Sequence, residues 1–286
     1  MKCSCLVYGT MGDIGDVVKG NLESHGVDVV SVGFPQNILR DEFGYRRNLL
    51  KAIREYSPDI IIPVGNTLAL AALKEELKCT FPGITVCAET PEKTATLDSK
   101  VRCYSLAQSL GIRQPRLYAS PEDTPEGETV IFKRDISFGG HGVHMTKFRK
   151  SLYNLIDHQS PGEPYLIEEY IVGSDYSTDV FRCGDFFAAA SYRSISERGK
   201  NGPSTERESV RDEALESIAS TIVEHLDFNG VCGFDFVVTE DGTPYLMECN
   251  PRFTGGLQTQ IASGLELPWM LYREASKVHS GISKCW

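Results

Sequence analysis

Three oxygen-bearing side chains, Asp235, Glu248 and Asn250, stand in the run Gly230-Val-Cys-Gly-Phe-Asp235 … Asp241-Gly242 … Tyr245-Leu-Met-Glu248-Cys-Asn250-Pro-Arg252-Phe-Thr-Gly-Gly256. Val231–Thr239 and Pro244–Asn250 read as strands, and Asp-Gly between two such runs is a strong hairpin signal. A loop centred on Asp241-Gly242 sets Asp235 opposite Glu248 and Gly233 opposite Asn250, all on one face. It makes the second face apolar, with Phe234 opposite Cys249, Phe236 opposite Met247 and Val238 opposite Tyr245. Carboxylates directly across a ladder lie roughly 5 Å apart at Cβ and repel each other, so a cation belongs between them. Hard oxygen donors with no His or Cys on that face suit Mg2+ better than zinc. Taken alone, the pattern also describes a solvent-facing acidic hairpin.

Upstream, the strand Thr129–Lys133 runs into Ser137-Phe-Gly-Gly-His-Gly142 and leaves through Val143–Thr146. The tip of such a hairpin offers backbone N–H groups to an anion, and glycines such as Gly139 and Gly140 allow close approach. Lys133 at its base is a compact phosphate-pairing charge. The loop is not a P-loop, since a strand follows it and no Gly-Lys-Ser/Thr is present. A plain surface loop is the alternative. Lys100 projects near the start of a helix read over Thr94–Leu110, closed by Gly111 with Pro115 beyond; alone it would be a solvated lysine. Tyr165-Leu-Ile-Glu168-Glu169-Tyr-Ile171-Val-Gly173-Ser-Asp175 places acidic acceptors on extended backbone, and by itself could be an acidic strand edge. His141 and His144 have no Cys or carboxylate nearby to complete a zinc site.

These groups need elements to hold them. Residues 1 to about 95 alternate strand and helix: Cys3–Tyr8, Val27–Phe34, Asp59–Val64 and Ile84–Cys87 against Asp13–His25, Tyr45–Tyr56 and Thr67–Leu77, the last capped by Asn66. That alternation predicts a small parallel sheet with flanking helices. Gly9-Thr-Met-Gly12-Asp-Ile-Gly15 has the wrong spacing for a dinucleotide fingerprint, and no acid ends the second strand, so a tight strand-to-helix turn is expected. Further on, the sheet continues through Asp185–Ser194. Glu197–Glu208 reads as a mobile loop, Val210–Leu226 as a helix, and Gln258–Gly264 and Trp269–Val278 as helical.

The 286 residues can bury a large core and divide into two or three parts. With 41% hydrophobic and 24% charged residues the composition is that of an ordinary globular protein. A net charge of −10 argues against a general nucleic-acid or anionic-membrane binder, though not against a small anion in a basic pocket. No apolar run reaches a membrane span and the start reads as a strand, not a signal peptide. Nine scattered cysteines without a CxxC pair predict free thiols in a cytoplasmic protein, with Cys79, Cys87, Cys103 and Cys232 buried.

The order of the pieces resembles the ATP-grasp superfamily: a lysine on a helix, a lysine before a glycine hairpin, Glu-Glu-Tyr-Ile-x-Gly-x-Asp, an arginine, then Asp and Glu-x-Asn-Pro-Arg. The nearest look is that of the carbamoyl-phosphate-synthetase-like and D-alanine–D-alanine-ligase-like carboxylate–amine ligases, over residues from about 91 to 275. The resemblance implies a mixed α/β and α+β fold. Residues 1–95 would form a parallel-sheet pre-ATP-grasp domain, 96–172 an amino-terminal lobe with the phosphate loop, and 173–286 a carboxy-terminal lobe with the metal site. It implies that Lys100 and Lys133 contact phosphates under the loop containing Ser137, Gly139 and Gly140. Glu168, beside Glu169, would meet the adenine amino group, the Ile171 N–H a ring nitrogen, and Asp175 the ribose, where glutamate is the commoner residue. Asp235, Glu248 and Asn250 would bind one or two Mg2+ (or Mn2+), and Arg252 and Arg193 would hold the transferred phosphoryl group. The implied activity activates a carboxylate with ATP as an acyl phosphate for attack by an amine, releasing ADP and phosphate. An ATP-grasp carboxylase, a carbamoyl-phosphate-type kinase and a non-catalytic ATP-binding module are the alternatives. Small-molecule substrates are the expected partners, and a homodimer is the commonest assembly for such a chain.

Overall fold

The structure, a computed structural model, describes residues 4–10, 13–34, 42–137, 140, 142–195, 206–282 and 285. Among the described residues, three sheets account for the strands. The first is parallel, in the order β2-β1-β3-β4, from β1 (Ser4–Thr10), β2 (Asp28–Phe34), β3 (Ile60–Pro63) and β4 (Thr85–Val86). Helices α1 (Asp13–Ser24), α2 (Glu42–Tyr56) and α3 (Thr67–Thr80) make its crossovers. β3 is buried along its whole length, as a parallel strand covered on both faces must be. Asn66 caps α3 by accepting from the Ala69 N–H at 3.0 Å, as expected. A Cβ on Gly9 would come within 2.9 Å of the Val64 backbone, so this glycine lets β1 and the end of β3 approach.

The helix expected over Thr94–Leu110 is broken. α4 (Pro91–Asp98) ends where Ser99 adopts extended backbone, and α5 (Lys100–Ser109) begins immediately after. Ser99 caps α5 at the Arg102 N–H and also donates to the buried Asp135 carboxylate, which accepts the Val101 N–H at 2.9 Å. A helix start satisfied by two acceptors is more stable here than an uninterrupted run, and the break puts Lys100 at its first position.

The second sheet is antiparallel, in the order β5-β8-β6-β7: β5 (Leu117–Tyr118), β6 (Val130–Arg134), β7 (Val143–Thr146) and β8 (Tyr165–Glu169), with α6 (Arg149–Asp157) beneath it. The third follows the order β11-β10-β9-β12-β13: β9 (Ser174–Cys183), β10 (Phe186–Ser194), β11 (Arg207–Val210), β12 (Gly230–Val238) and β13 (Pro244–Asn250). α7 (Glu213–His225) covers one face through Leu215, Ala219, Ile222 and Val223, which pack with Phe234, Phe236 and Leu246. α8 (Leu257–Ala262) and α9 (Leu267–His279) follow. On the other face Phe181, Cys183 and Val231 pack with Leu271 of α9 and with Cys5, Val7, Ile60 and Ile62 of the first sheet.

Three expectations are corrected. Arg207 and Glu208, placed in a loop, belong to β11, while residues 196–205 lie outside the described residues. Two cysteines are not free: a disulfide joins Cys183 to Cys285, 102 residues apart. Cys79 is exposed rather than buried; Cys87, Cys103 and Cys232 are buried free thiols. No described helix is long and apolar enough to cross a membrane.

Candidate active site

The β12–β13 ladder pairs Gly233 with Asn250, Phe234 with Cys249 and Asp235 with Glu248. Beyond Asp235 the register shifts, and Phe236 faces Leu246, not Met247, while Val238 faces Pro244, not Tyr245. Met247 is the extra residue of this bulge. The shift sends Leu246 into the core, 2% exposed, and frees the Met247 carbonyl to accept from Lys133 Nζ at 3.5 Å.

Asp235, Glu248 and Asn250 share a face and touch. Asn250 Nδ2 donates to Asp235 Oδ2 at 3.2 Å and to Glu248 Oε1 at 3.3 Å, and Ser177 Oγ donates to Asp235 Oδ1 at 2.6 Å. Arg252 Nη2 donates to Asn250 Oδ1 at 2.6 Å, setting the guanidinium beside the triad. Burial, and then the charge of Glu248, push the Asp235 carboxyl well above the ordinary aspartate range. Burial also opposes ionisation of Glu248, but the ammonium groups of Lys100 and Lys133 outweigh it and hold Glu248 below its ordinary value.

Across from this hairpin, Lys100 Nζ lies 3.2 Å from Glu248 Oε2 and donates to the Asp135 and Ser137 carbonyls and to Ser137 Oγ at 3.2–3.3 Å. It thus ties the start of the glycine loop to β13. Lys133 Nζ lies 2.7 Å from Glu168 Oε2; both side chains are buried. Lys100, Cys103, Tyr104, Gln114, Glu168, Leu246, Met247 and Glu248 line a narrow cleft between the second and third sheets. Gly140 and Gly142 have φ of +76° and +79°, values that favour glycine at the hairpin tip. Gly139 and His141 lie outside the described residues. Ile171 is buried just beyond β8, and Asp175 on β9 alternates with Ser177, so it shares the face of Asp235.

Two candidate residues are not brought to this cleft. Glu169 follows Glu168 on β8 and points to the opposite side, where its carboxylate lies 3.8 Å from Arg116 Nε. Arg193 pairs in register with Tyr176 and, through it, with Phe236, so it belongs to the other face of the third sheet. Its guanidinium donates to Glu208 at 2.6 Å on the exposed edge.

A sequence profile for the ATP-grasp domain matches residues 97–256, more than half of the chain. The chain belongs to the ATP-grasp family. It is 24% identical over 269 residues to an uncharacterised protein of Methanocaldococcus jannaschii, covering 85% of this chain and 67% of that one. It is also 24% identical over 210 residues to the arginine-specific carbamoyl phosphate synthase large chain of Bacillus subtilis, covering 67% of this chain but only 20% of the synthase. Among solved structures, the biotin carboxylase–β,γ-ATP complex from Campylobacter jejuni superposes with TM-score 0.75 at 15% identity, over 95% of this chain and 70% of that one. The ATP complex of Bacillus anthracis D-alanine–D-alanine ligase gives 0.69 at 15% identity, over 98% of this chain and 99% of the ligase. The α/β architecture is therefore an ATP-grasp fold.

Around this cleft, several residues escaped sequence reasoning. Asp179, 1% exposed on β9, accepts from Thr254 Oγ1 at 2.9 and 3.0 Å and from Gln260 Nε2 at 3.1 Å, anchoring the turn that follows Asn250. Burial raises its carboxyl to about 6 against those hydrogen bonds and the charges of Arg207 and Arg252. Gly233 leaves room for this anchor, since a Cβ there would meet Thr254 Cγ2 at 2.2 Å and Asp179 Oδ1 at 2.6 Å. Arg207, opposite Ser194, stands on the face that carries Asp235, its guanidinium 5.5 Å from the centre of the Tyr192 ring. Asp98, at the end of α4, is raised by burial against the opposing charges of Arg252 and Lys100. The two-residue period Asp175-x-Ser177-x-Asp179 was the available signal for Asp179; Arg207 gave none, since its strand forms only against β10.

The donor set suits a hard divalent cation. Two opposed, half-buried carboxylates are bridged by an amide NH2 where a metal would sit, and no imidazole or thiolate joins their face. Among the described residues no three His, Cys, Asp or Glu side chains are grouped to hold a metal, so Asn250 would have to supply its oxygen as the third ligand.

Proposed function

We propose that this protein is a Mg-ATP-dependent ligase that activates a carboxylate as an acyl phosphate and joins it to an amine, releasing ADP and phosphate. The observation that carries this reading is the pair of buried lysines, each held on a cleft carboxylate. Lys133 rests on Glu168 and Lys100 on Glu248. A triphosphate entering the cleft offers both lysines a stronger anion, which frees Glu168 to accept from the adenine amino group and Glu248 to bind metal. The Ile171 N–H serves the adenine ring and Asp175 the ribose hydroxyls. Asp235, Glu248 and Asn250 would hold Mg2+, or Mn2+ in its place, which neutralises phosphate charge when bound. Arg252 stands at the transferred phosphoryl group, and Arg207, rather than Arg193, is the second arginine on that face. The hairpin carrying Ser137, Gly140 and Gly142 covers the phosphates and keeps water from the acyl phosphate.

A matrix of amino acids and small acids with Mg-ATP, read by phosphate release and product mass, tests the reading. Phosphate release that requires both a carboxylate and an amine, with a condensed product, supports it. Bicarbonate-dependent release without an amine would instead mark a carboxylase or carbamoyl-phosphate-type kinase. Saturable ATP binding with no phosphate release anywhere in the matrix would mark a binding module.

A further inference from the structure

We propose that Cys103 and Cys249 form a reversible disulfide between α5 and β13, in the apolar cluster behind the cleft, so that a low-molecular-weight disulfide acts on this protein as a covalent modifier. The two Sγ atoms lie 3.0 Å apart, both thiols buried. A disulfide bond is about 2 Å long, so closing it asks for about 1 Å of sulfur movement, within the reach of small side-chain rotations. The positions give the bond its consequence. Cys103 lies one helical turn beyond Lys100 on α5 and lines the cleft. Cys249 stands between Glu248 and Asn250 on β13. α5 and β13 are otherwise joined by packing and by the Lys100–Glu248 ion pair, so the bond would fasten the lysine-bearing helix to the carboxylate-bearing strand.

With oxidised glutathione as the oxidant, Cys103 sulfur attacks one glutathione sulfur, and the glutathione S–S bond breaks. One glutathione leaves as a thiol, with Cys103 in a mixed disulfide. Cys249 sulfur then attacks Cys103 sulfur and releases the second glutathione. Two electrons pass from the protein thiols to the small disulfide, and the two thiol protons end on the two glutathione thiols. A dithiol reductant runs the sequence backwards. In the bonded state α5 and β13 cannot move apart to admit a triphosphate between Lys100 and Glu248, so Mg-ATP binding weakens; this consequence, unlike the bond itself, rests on the function proposed above.

The test treats the full chain carrying Cys79→Ser, which removes the exposed thiol, with oxidised glutathione. Alkylation, digestion and mass spectrometry follow, alongside a Mg-ATP titration of each form. The expected result is loss of free thiol at Cys103 and Cys249, a linked peptide containing both, and ATP binding that falls on oxidation and returns with dithiothreitol. Cys103→Ser should abolish the linked peptide and the oxidant's effect together. Recovery of both thiols fully alkylated after oxidation would overturn the proposal. A linked peptide with unchanged ATP affinity would overturn the coupling and leave the bond. Absence of ATP binding in the reduced protein would count against the proposed function alone, since the linked peptide still decides the disulfide.

Discussion

Lys133 with Glu168 and Lys100 with Glu248 are two lysine–carboxylate pairs of the same chemistry in different settings. The first lies within one sheet: Lys133 on β6 pairs with Leu166, and Glu168 sits two residues along β8 on the same face. Both side chains are almost fully enclosed, at 7% and 3% exposed. The second joins α5 to β13 across the cleft, and Glu248 keeps 26% of its side chain exposed. A pair on two strands of one sheet keeps its backbone register whatever the cleft does, whereas a pair across the cleft depends on how the two sides meet. The contrast assigns Lys133 a structural duty alongside any ligand duty, and leaves Glu248 the freer group to change partners.

Breaking the cross-cleft pair should separate activity from stability most clearly. In Glu248→Gln the shape is kept and the charge lost; substrate-dependent phosphate release should fall by on the order of 1,000-fold. The unfolding midpoint should move little, because Lys100 keeps its bonds to Asp135 and Ser137. Phosphate-release kinetics beside a urea melt check both halves, and normal turnover would remove Glu248 from the site.

Breaking the internal pair should behave in the opposite way. Lys133→Met leaves Glu168 enclosed without its cation and should cost about 3–5 kcal/mol, read by chemical denaturation. Adding Glu168→Leu should restore most of that stability while leaving ATP binding absent. If the single variant proved as stable as the parent, the two pairs would not differ as argued.

Asp179 sharpens the comparison as a buried carboxylate with no lysine at all. Its folded value of about 6 lies above the ordinary 3.8, so between those values the folded state holds more protons than the unfolded. Its contribution to stability is therefore full below about pH 4 and is lost as pH rises through about 6, by up to about 3 kcal/mol. Asp235 shifts in the same direction and the Asp179 charge is one of the causes, so the difference between the parent and Asp179→Asn reports Asp179 together with its effect on Asp235. Urea midpoints from pH 4 to 8 should fall less steeply in the variant; identical profiles would place the Asp179 carboxyl at an ordinary value.

What could be read in advance follows the range of the forces involved. The turn at Asp241-Gly242 and the strand alternation are local and were legible, but the pairs beside the turn are offset by one residue from the expected register, and the bulge at Met247 restores the expected pairing of Asp235 with Glu248. The shift at Met247 was not, because that carbonyl meets Lys133 from another sheet. The break at Ser99 was half legible: a serine before a helix is a recognisable cap, but the Asp135 carboxylate that secures it comes from the end of β6. The Cys183–Cys285 bond joins residues distant in the chain, and neither spacing nor composition pointed to it. Glu168 was picked out as an acid, while its lysine partner became visible only with β6 laid against β8.

The arginines give the smallest effects and the closest contrast. Arg193 and Arg207 both project from the β10–β11 edge, one register step apart, and a strand turns that single step into opposite faces. Arg193 spends its guanidinium on the exposed Glu208, so Arg193→Ala should leave turnover and melting temperature unchanged within error. Arg207 faces the triad side, against the Tyr192 ring and near Gly255, so Arg207→Ala should lower turnover on the order of 10-fold with the fold intact. Steady-state kinetics on the two variants decide between them. The opposite ranking would require β10 to pair one residue out of its present register, which would also carry Tyr192 away from Gly256, where its ring now fills the space of a Cβ.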